Sequence, residues 1–122
     1  MLTSAPVVEI LKDEWSGAWG RHGWAVGSYV VMPDHVHFFC TDGDQGTTLS
    51  RFIGSWKEWT SKAIKTECHI EGVVWQKGFF DHLLRSEESY SEKWNYVRNN
   101  PVRAGLVECA DEWPFSGHIH YR

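Results

Sequence analysis

A chain of 122 residues with 42% apolar content and a net charge of −4 suits one domain, residues 1–122, built around one core. The negative balance counts against a nucleic-acid partner, whose phosphates dominate binding, although a local basic patch can outweigh the sum. No apolar run reaches membrane length, and the start, MLTSAPVVEIL, lacks a basic n-region and a signal-like core; Cys40, Cys68 and Cys109, widely spaced and without a C-x-x-C, read as reduced thiols of a soluble cytoplasmic protein.

In chain order, Thr3 or Ser4 caps a first helix predicted over 6–21, with Val7, Ile10, Leu11, Trp15 and Trp19 at helical spacing and Gly23 as its end. "WAVGSYVVM" (24–32) is rich in β-formers, Pro33-Asp34 makes a tight turn, and "HVHFFCT" (35–41) returns as the second strand of a hairpin. After the loop "DGDQGTT", Thr47 or Thr48 caps a long helix to about residue 65. Leu49, Phe52, Ile53, Trp56, Trp59, Ala63 and Ile64 form its apolar stripe; its cations Arg51, Lys57, Lys62 and Lys65 make either a solvated face or a phosphate-contacting edge. Strand or hairpin segments follow at 73–76 and 78–85, and Ser86 or Ser89 opens the last long helix, with Ser89 and Glu92 at capping-box spacing. Pro101 interrupts that helix, "VRAGL" is a further helical turn, and "DEWPFSGHIHYR" is a tail.

Helix, strand, strand, helix, strands, helix is the order of an α+β, ferredoxin-like sandwich: an antiparallel sheet with helices on one face. That topology normally opens with a strand, and only about five residues precede the first helix here, so the chain reads as lacking its first strand. The expected consequence is an unpaired edge on the histidine strand, covered by a second copy or by a displaced segment. The eight tryptophans fill a core or offer faces on which bases stack, and composition does not separate the two.

The chemistry centres on His35-Val36-His37. Among seven histidines such a triplet is a weak signal by itself, and His118-Ile119-His120 repeats it near the end. Strand parity points His35 and His37 to one face, where two imidazoles can hold one divalent ion if a further ligand joins them. Tyr96 and Asn100, four residues apart, share a helical face, so a helix laid across the histidine face would bring a phenol and a carboxamide oxygen to the same place. The plainer readings are a half-buried aromatic and a cap before Pro101.

Four blocks in order, "YVVMPDHVHFF", "GSWKEWTSKAI", "VWQKGFFDHLLRSEESYSEKWNYVRNNPVRAGLV" and "EWPFSG", spanning roughly residues 24 to 117, resemble the single-tyrosine HUH transposases. The likeness is greatest to the REP-associated tyrosine transposases, which act on palindromic repeat elements of bacterial genomes. By that resemblance His35 and His37 are the metal-binding pair, Tyr96 is the nucleophile and Asn100 the third ligand. Glutamine is usual at that position in the classical insertion-sequence branch, so asparagine favours the repeat-associated one. Asp34 departs from the family's more frequent asparagine. The resemblance implies magnesium or manganese, single-stranded DNA beside a hairpin as substrate, a homodimer, and a place in the bacterial cytoplasm at the nucleoid. A phenol is a weak nucleophile at neutral pH and needs orientation and activation, which the metal supplies while the DNA becomes joined as a 5′-phosphotyrosine. Lys57, Gln76, Arg85 and Arg103 are candidate DNA contacts, Lys57 and Arg85 being equally readable as surface charges. His118 and His120 match no functional position of the family, and His69 and His82 carry no strong signal.

Two other classes compete. A domesticated or inactive hairpin-DNA-binding protein fits the negative charge and the absent strand. A metallohydrolase built on H-x-H would need further ligands at zinc-site spacing, such as H-E-x-x-H, and the sequence has none.

Overall fold

The computed structural model describes residues 2–42, 46–69, 75 and 87–121. The segments read as strands at 73–76 and 78–85 lie outside the described residues, apart from Trp75. The Ser4 hydroxyl accepts the Val7 N–H at 3.4 Å and starts α1 (Ala5–Ser16), which buries Val7, Val8, Ile10, Leu11 and Trp15. The single helix expected over 6–21 is divided at Gly17, and α2 (Ala18–His22) follows. Arg21 folds back to bond the Glu14 carbonyl and, at 3.0 Å, its carboxylate, and its guanidinium occupies the space a Gly17 side chain would fill. Beyond that break the apolar stripe is not continued: Ala18 is buried and Trp19 is 55% exposed. Gly23, at φ 72°, makes the left-handed turn that ends α2.

β1 (Trp24–Val31) and β2 (Val36–Asp42) form the expected hairpin, closed by the Met32 N–H on the His35 carbonyl at 2.8 Å. Register runs Tyr29↔Phe38, Val30↔His37 and Val31↔Val36, with a bulge between Val26 and Tyr29. The bulge sets the parity of the strand. The extra residue lets Val26 and Tyr29 point to the same face, where they join Trp24, Val31, Val36, Phe38 and Cys40 in the main core. On that face lie α1 and α3 (Leu49–Cys68), the latter capped by Thr48, whose hydroxyl accepts the Arg51 N–H at 3.2 Å. α3 buries Phe52, Trp56, Thr60 and Ile64 at spacings of four and packs partly buried Leu49, Ile53 and Ala63 against the same core, so of the expected stripe only Trp59, 53% exposed, is left out. It ends three residues beyond the expected boundary, on His69 at φ 56°. Trp15 stacks on Trp56 at 5.4 Å and 9°, joining the two helices over the sheet, and Trp75 rests on Trp56 at 4.9 Å while donating to the Thr60 hydroxyl.

The opposite face carries Val30, Met32 and Phe39, and α4 (Glu87–Arg98) lies across it, burying Val97 and setting Trp94 edge-on to Phe39 at 6.0 Å. α4 begins at Glu87, so Ser89 falls inside the helix, and Ser86, the other expected opener, lies outside the described residues. The expected interruption is present: after Asn99, α5 (Asn100–Arg103) starts with Pro101 in its first turn and ends before Gly105, at φ 75°.

The segment read as a tail belongs to the sheet. β3 (Ser116–His118) pairs antiparallel with β1, giving the order β2-β1-β3 among the described residues, where no strand precedes α1. The pairing continues past β3, as the His120 N–H reaches the Val26 carbonyl at 2.7 Å and His120 Nδ1 accepts the Val26 N–H at 2.8 Å. The second histidine triplet therefore has a structural use at the bulge: a backbone donor of fully buried Val26 is satisfied by a side chain. With Nδ1 accepting, Nε2 carries the proton and faces the Ser16 carbonyl at 3.3 Å. His120→Ala is expected to lower the unfolding free energy by roughly 1–2 kcal/mol, the cost of a buried unpaired N–H, as read by urea titration. No helix among the described residues is long and apolar enough to cross a membrane.

Candidate functional site

The hairpin determines where the histidines go. Because Val36 and Phe38 are drawn into the main core, His35, His37 and Phe39 must project from the other face, the one α4 covers. The two imidazole rings stand 5.0 Å apart, edge to face at 85°. Asp34 Oδ1 lies 2.7 Å from His35 Nδ1. A carboxylate only accepts, so in the neutral ring Nδ1 holds the proton and Nε2 keeps its lone pair free to bind a cation. Asp34 thus favours the His35 tautomer whose Nε2 is unprotonated.

From the other side, α4 and α5 present Tyr96 and Asn100. His35, His37, Tyr96 and Asn100 line a single cavity of about 630 Å³, with Met32, Val97 and Ala104 as its apolar surface. Two stretches about sixty residues apart in sequence are brought to one cavity. Tyr96 is 60% exposed, so its phenol is open to a large substrate. Tyr29, by contrast, is in the core, and burial pushes its phenol above the ordinary value of 10.0.

Glu92 and Lys93 line the same cavity, and sequence reasoning did not place them there. The signal was available: Glu92, Tyr96 and Asn100 recur at intervals of four, but Glu92 reads first as the partner of Ser89 at capping-box spacing. Of the candidate DNA contacts, Arg103 is at the site. Its guanidinium carbon sits 3.8 Å from the centroid of the Tyr96 ring, and its Nη2 donates to Asn100 Oδ1. Lys57 is on α3, across the sheet from the cavity, and is not brought to it. Gln76 and Arg85 lie outside the described residues.

The donor set suits a divalent cation. Two imidazoles and a carboxamide oxygen are neutral ligands that leave coordination positions open for phosphate oxygens and water. Among the described residues no group of three or more His, Cys, Asp or Glu side chains offers an alternative centre.

The family described as "Transposase IS200 like" matches residues 2–100. The REP-associated tyrosine transposase of Escherichia coli K12 is 31% identical over 93 residues, covering 75% of this chain and 52% of that protein. A putative REP-associated tyrosine transposase of Haemophilus influenzae is 26% identical over 95 residues, covering 70% of this chain and 54% of its own length. The chain therefore spans about half the length of the curated relatives it matches. A solved structure of a REP-associated tyrosine transposase bound to a REP hairpin shares the fold, with a TM-score of 0.61 at 23% identity, over 88% of this chain and 62% of the other. With the histidine pair, the tyrosine and the asparagine all inside the matched region, the chain belongs to the IS200-like transposase family.

Proposed function

We propose that this chain, read as a single HUH transposase-like domain that assembles as a dimer, cleaves and rejoins single-stranded DNA beside hairpin or palindromic elements through a 5′-phosphotyrosine on Tyr96. One observation carries the reading: the histidine pair from β2 and the Tyr96–Asn100 pair from α4 and α5 line one cavity open to solvent. The hairpin in the structure of the REP-associated neighbour supports the choice of DNA.

His35, His37 and Asn100 would hold magnesium or manganese. Such an ion supplies neutralisation of charge on the scissile phosphate and alignment of the departing oxygen. Asp34 keeps His35 in the tautomer that binds. Tyr96 Oη forms the new bond to phosphorus, its proton passes to solvent, and the 3′-oxygen of the severed strand leaves with the electron pair and is protonated. Rejoining is the reverse, with a 3′-hydroxyl attacking the phosphotyrosine. The phosphodiester energy is kept in the covalent link, so no nucleotide cofactor is consumed.

The test is incubation with end-labelled hairpin DNA bearing a single-stranded flank, with manganese or with EDTA, followed by a denaturing gel. A covalent protein–DNA species is expected with manganese and absent with EDTA. Cleaved DNA without that species would indicate metal-dependent hydrolysis, and binding with neither would indicate a hairpin-binding protein. In parallel, calorimetry is expected to show manganese affinity reduced about tenfold or more in His37→Ala. Equal affinity in the two proteins would remove His37 from the metal site.

A further inference from the structure

Arg103 connects the two functional groups that α4 and α5 contribute. Its guanidinium lies over the Tyr96 ring, 3.8 Å from the centroid, and the same group donates through Nη2 to Asn100 Oδ1. Both contacts are local. Asn100 and Arg103 are three apart in α5, one turn of helix, so the arrangement forms without DNA or metal. The oxygen that accepts from Arg103 is also the only side-chain oxygen Asn100 can offer to a cation, its backbone carbonyl being engaged by the Ala104 N–H. A guanidinium and a divalent ion converging on one carboxamide oxygen repel each other, so the two occupancies compete.

We infer that Arg103 is a latch on the metal site: in the DNA-free chain it holds the Asn100 oxygen, and it releases that oxygen when a DNA phosphate takes its place as the guanidinium's partner. A phosphodiester is the chemistry that fits the exchange. Its oxygens accept two parallel N–H bonds from a guanidinium, with charge on both partners, against one bond to an uncharged carboxamide. Arg103 and Tyr96 are both exposed, so an arriving strand reaches the latch from solvent. The device makes full metal coordination depend on substrate and limits futile chemistry in its absence. Arg103 is then a positioning residue, acting through Asn100. The inference rests on the reading of His35, His37 and Asn100 as metal ligands.

Two measurements on DNA-free protein test it. In metal-free samples, the NMR resonances of the Asn100 side-chain amide and the Tyr96 ring are expected to shift in Arg103→Lys and in Arg103→Gln. Unmoved resonances overturn the latch whatever the metal does. By calorimetry, manganese affinity is expected to rise about fivefold or more in both variants, because lysine keeps the charge but lacks the planar fork that spans ring and carboxamide together. A rise confined to Arg103→Gln would reduce the effect to bulk charge, and unchanged or weaker binding in Arg103→Lys would also overturn the proposal. If the resonances shift while His37→Ala binds manganese as well as the unaltered protein, the local contact stands and the metal-site reading has failed.

Discussion

Tyr96→Phe is expected to abolish the covalent DNA adduct while leaving hairpin binding within about threefold, since one hydroxyl is lost and the ring remains. The ring is 60% exposed, so folding does not depend on the hydroxyl, and Arg103 can stack on phenylalanine as it does on tyrosine. The other three tyrosines are poorly placed for the reaction. Tyr29 is 4% exposed and packs against Trp15 at 4.9 Å, inside the main core. Tyr121 follows the His120 pairing with Val26, at the edge of β1 turned away from β2. Tyr90 is six residues before Tyr96 in sequence, which on ideal helical spacing sets the two positions about 240° apart, so the four-residue spacing that pairs Tyr96 with Asn100 does not extend to Tyr90. An adduct that survives in Tyr96→Phe and disappears in Tyr90→Phe would overturn both the assignment and the helix geometry behind it.

Trp15→Ala is expected to cost about 3–5 kcal/mol of stability, which is a large share of the roughly 5–15 kcal/mol available to a domain. Trp15 has no exposed surface and joins α1 to three other elements of the main core: it stacks on Trp56 of α3 and packs against Tyr29 of β1 and Phe38 of β2, at 5.4, 4.9 and 5.1 Å. Removing it opens a cavity that two helices and a sheet must collapse to fill. Thermal unfolding followed by circular dichroism should show a midpoint lowered by about 10–20 °C, or no cooperative transition at all. Trp15→Phe should lose far less, because it retains a ring and removes an indole N–H that is buried with no hydrogen-bond partner among the described residues. Trp59→Ala is the control. That indole is 53% exposed, beneath Lys62, and its loss should move the midpoint by only a few degrees. Equal losses at Trp15 and Trp59 would contradict the placement of the core.

Much of the site was legible because it depends on two short periodicities. A strand of alternating residues must put His35 and His37 on one face, and four-residue spacing sets Tyr96, late in α4, beside Asn100, which opens α5 after the break at Asn99. The packing of Phe38 on one side of the sheet and Phe39 on the other then decides which face is which. What escaped the sequence depends on contacts distant in the chain. The bulge before Tyr29 changes strand parity by one residue, which period counting does not detect. β3 is three residues, Ser-Gly-His, with no strand propensity of its own; it forms because β1 offers an edge and because Ile119 and His120 supply further bonds to Gly27 and Val26. Trp19 and Trp59 were assigned to apolar stripes by spacing, but the division at Gly17 and the four-residue rhythm of Phe52, Trp56, Thr60 and Ile64 leave them outside the packed face. Lys57 has the character of a DNA contact, yet the sheet separates it from the cavity.

The central claim, that a phosphate is handed to Tyr96 opposite the histidine pair, is tested most directly by mapping the adduct. Protein incubated with hairpin DNA and manganese is digested with protease, and the DNA-linked peptide is identified by mass spectrometry. The expected result is one linkage, through a 5′-phosphate, on the peptide containing Tyr96, and none when EDTA replaces the metal. A linkage on Tyr90, Tyr121 or a serine, or one formed equally in EDTA, would contradict the account.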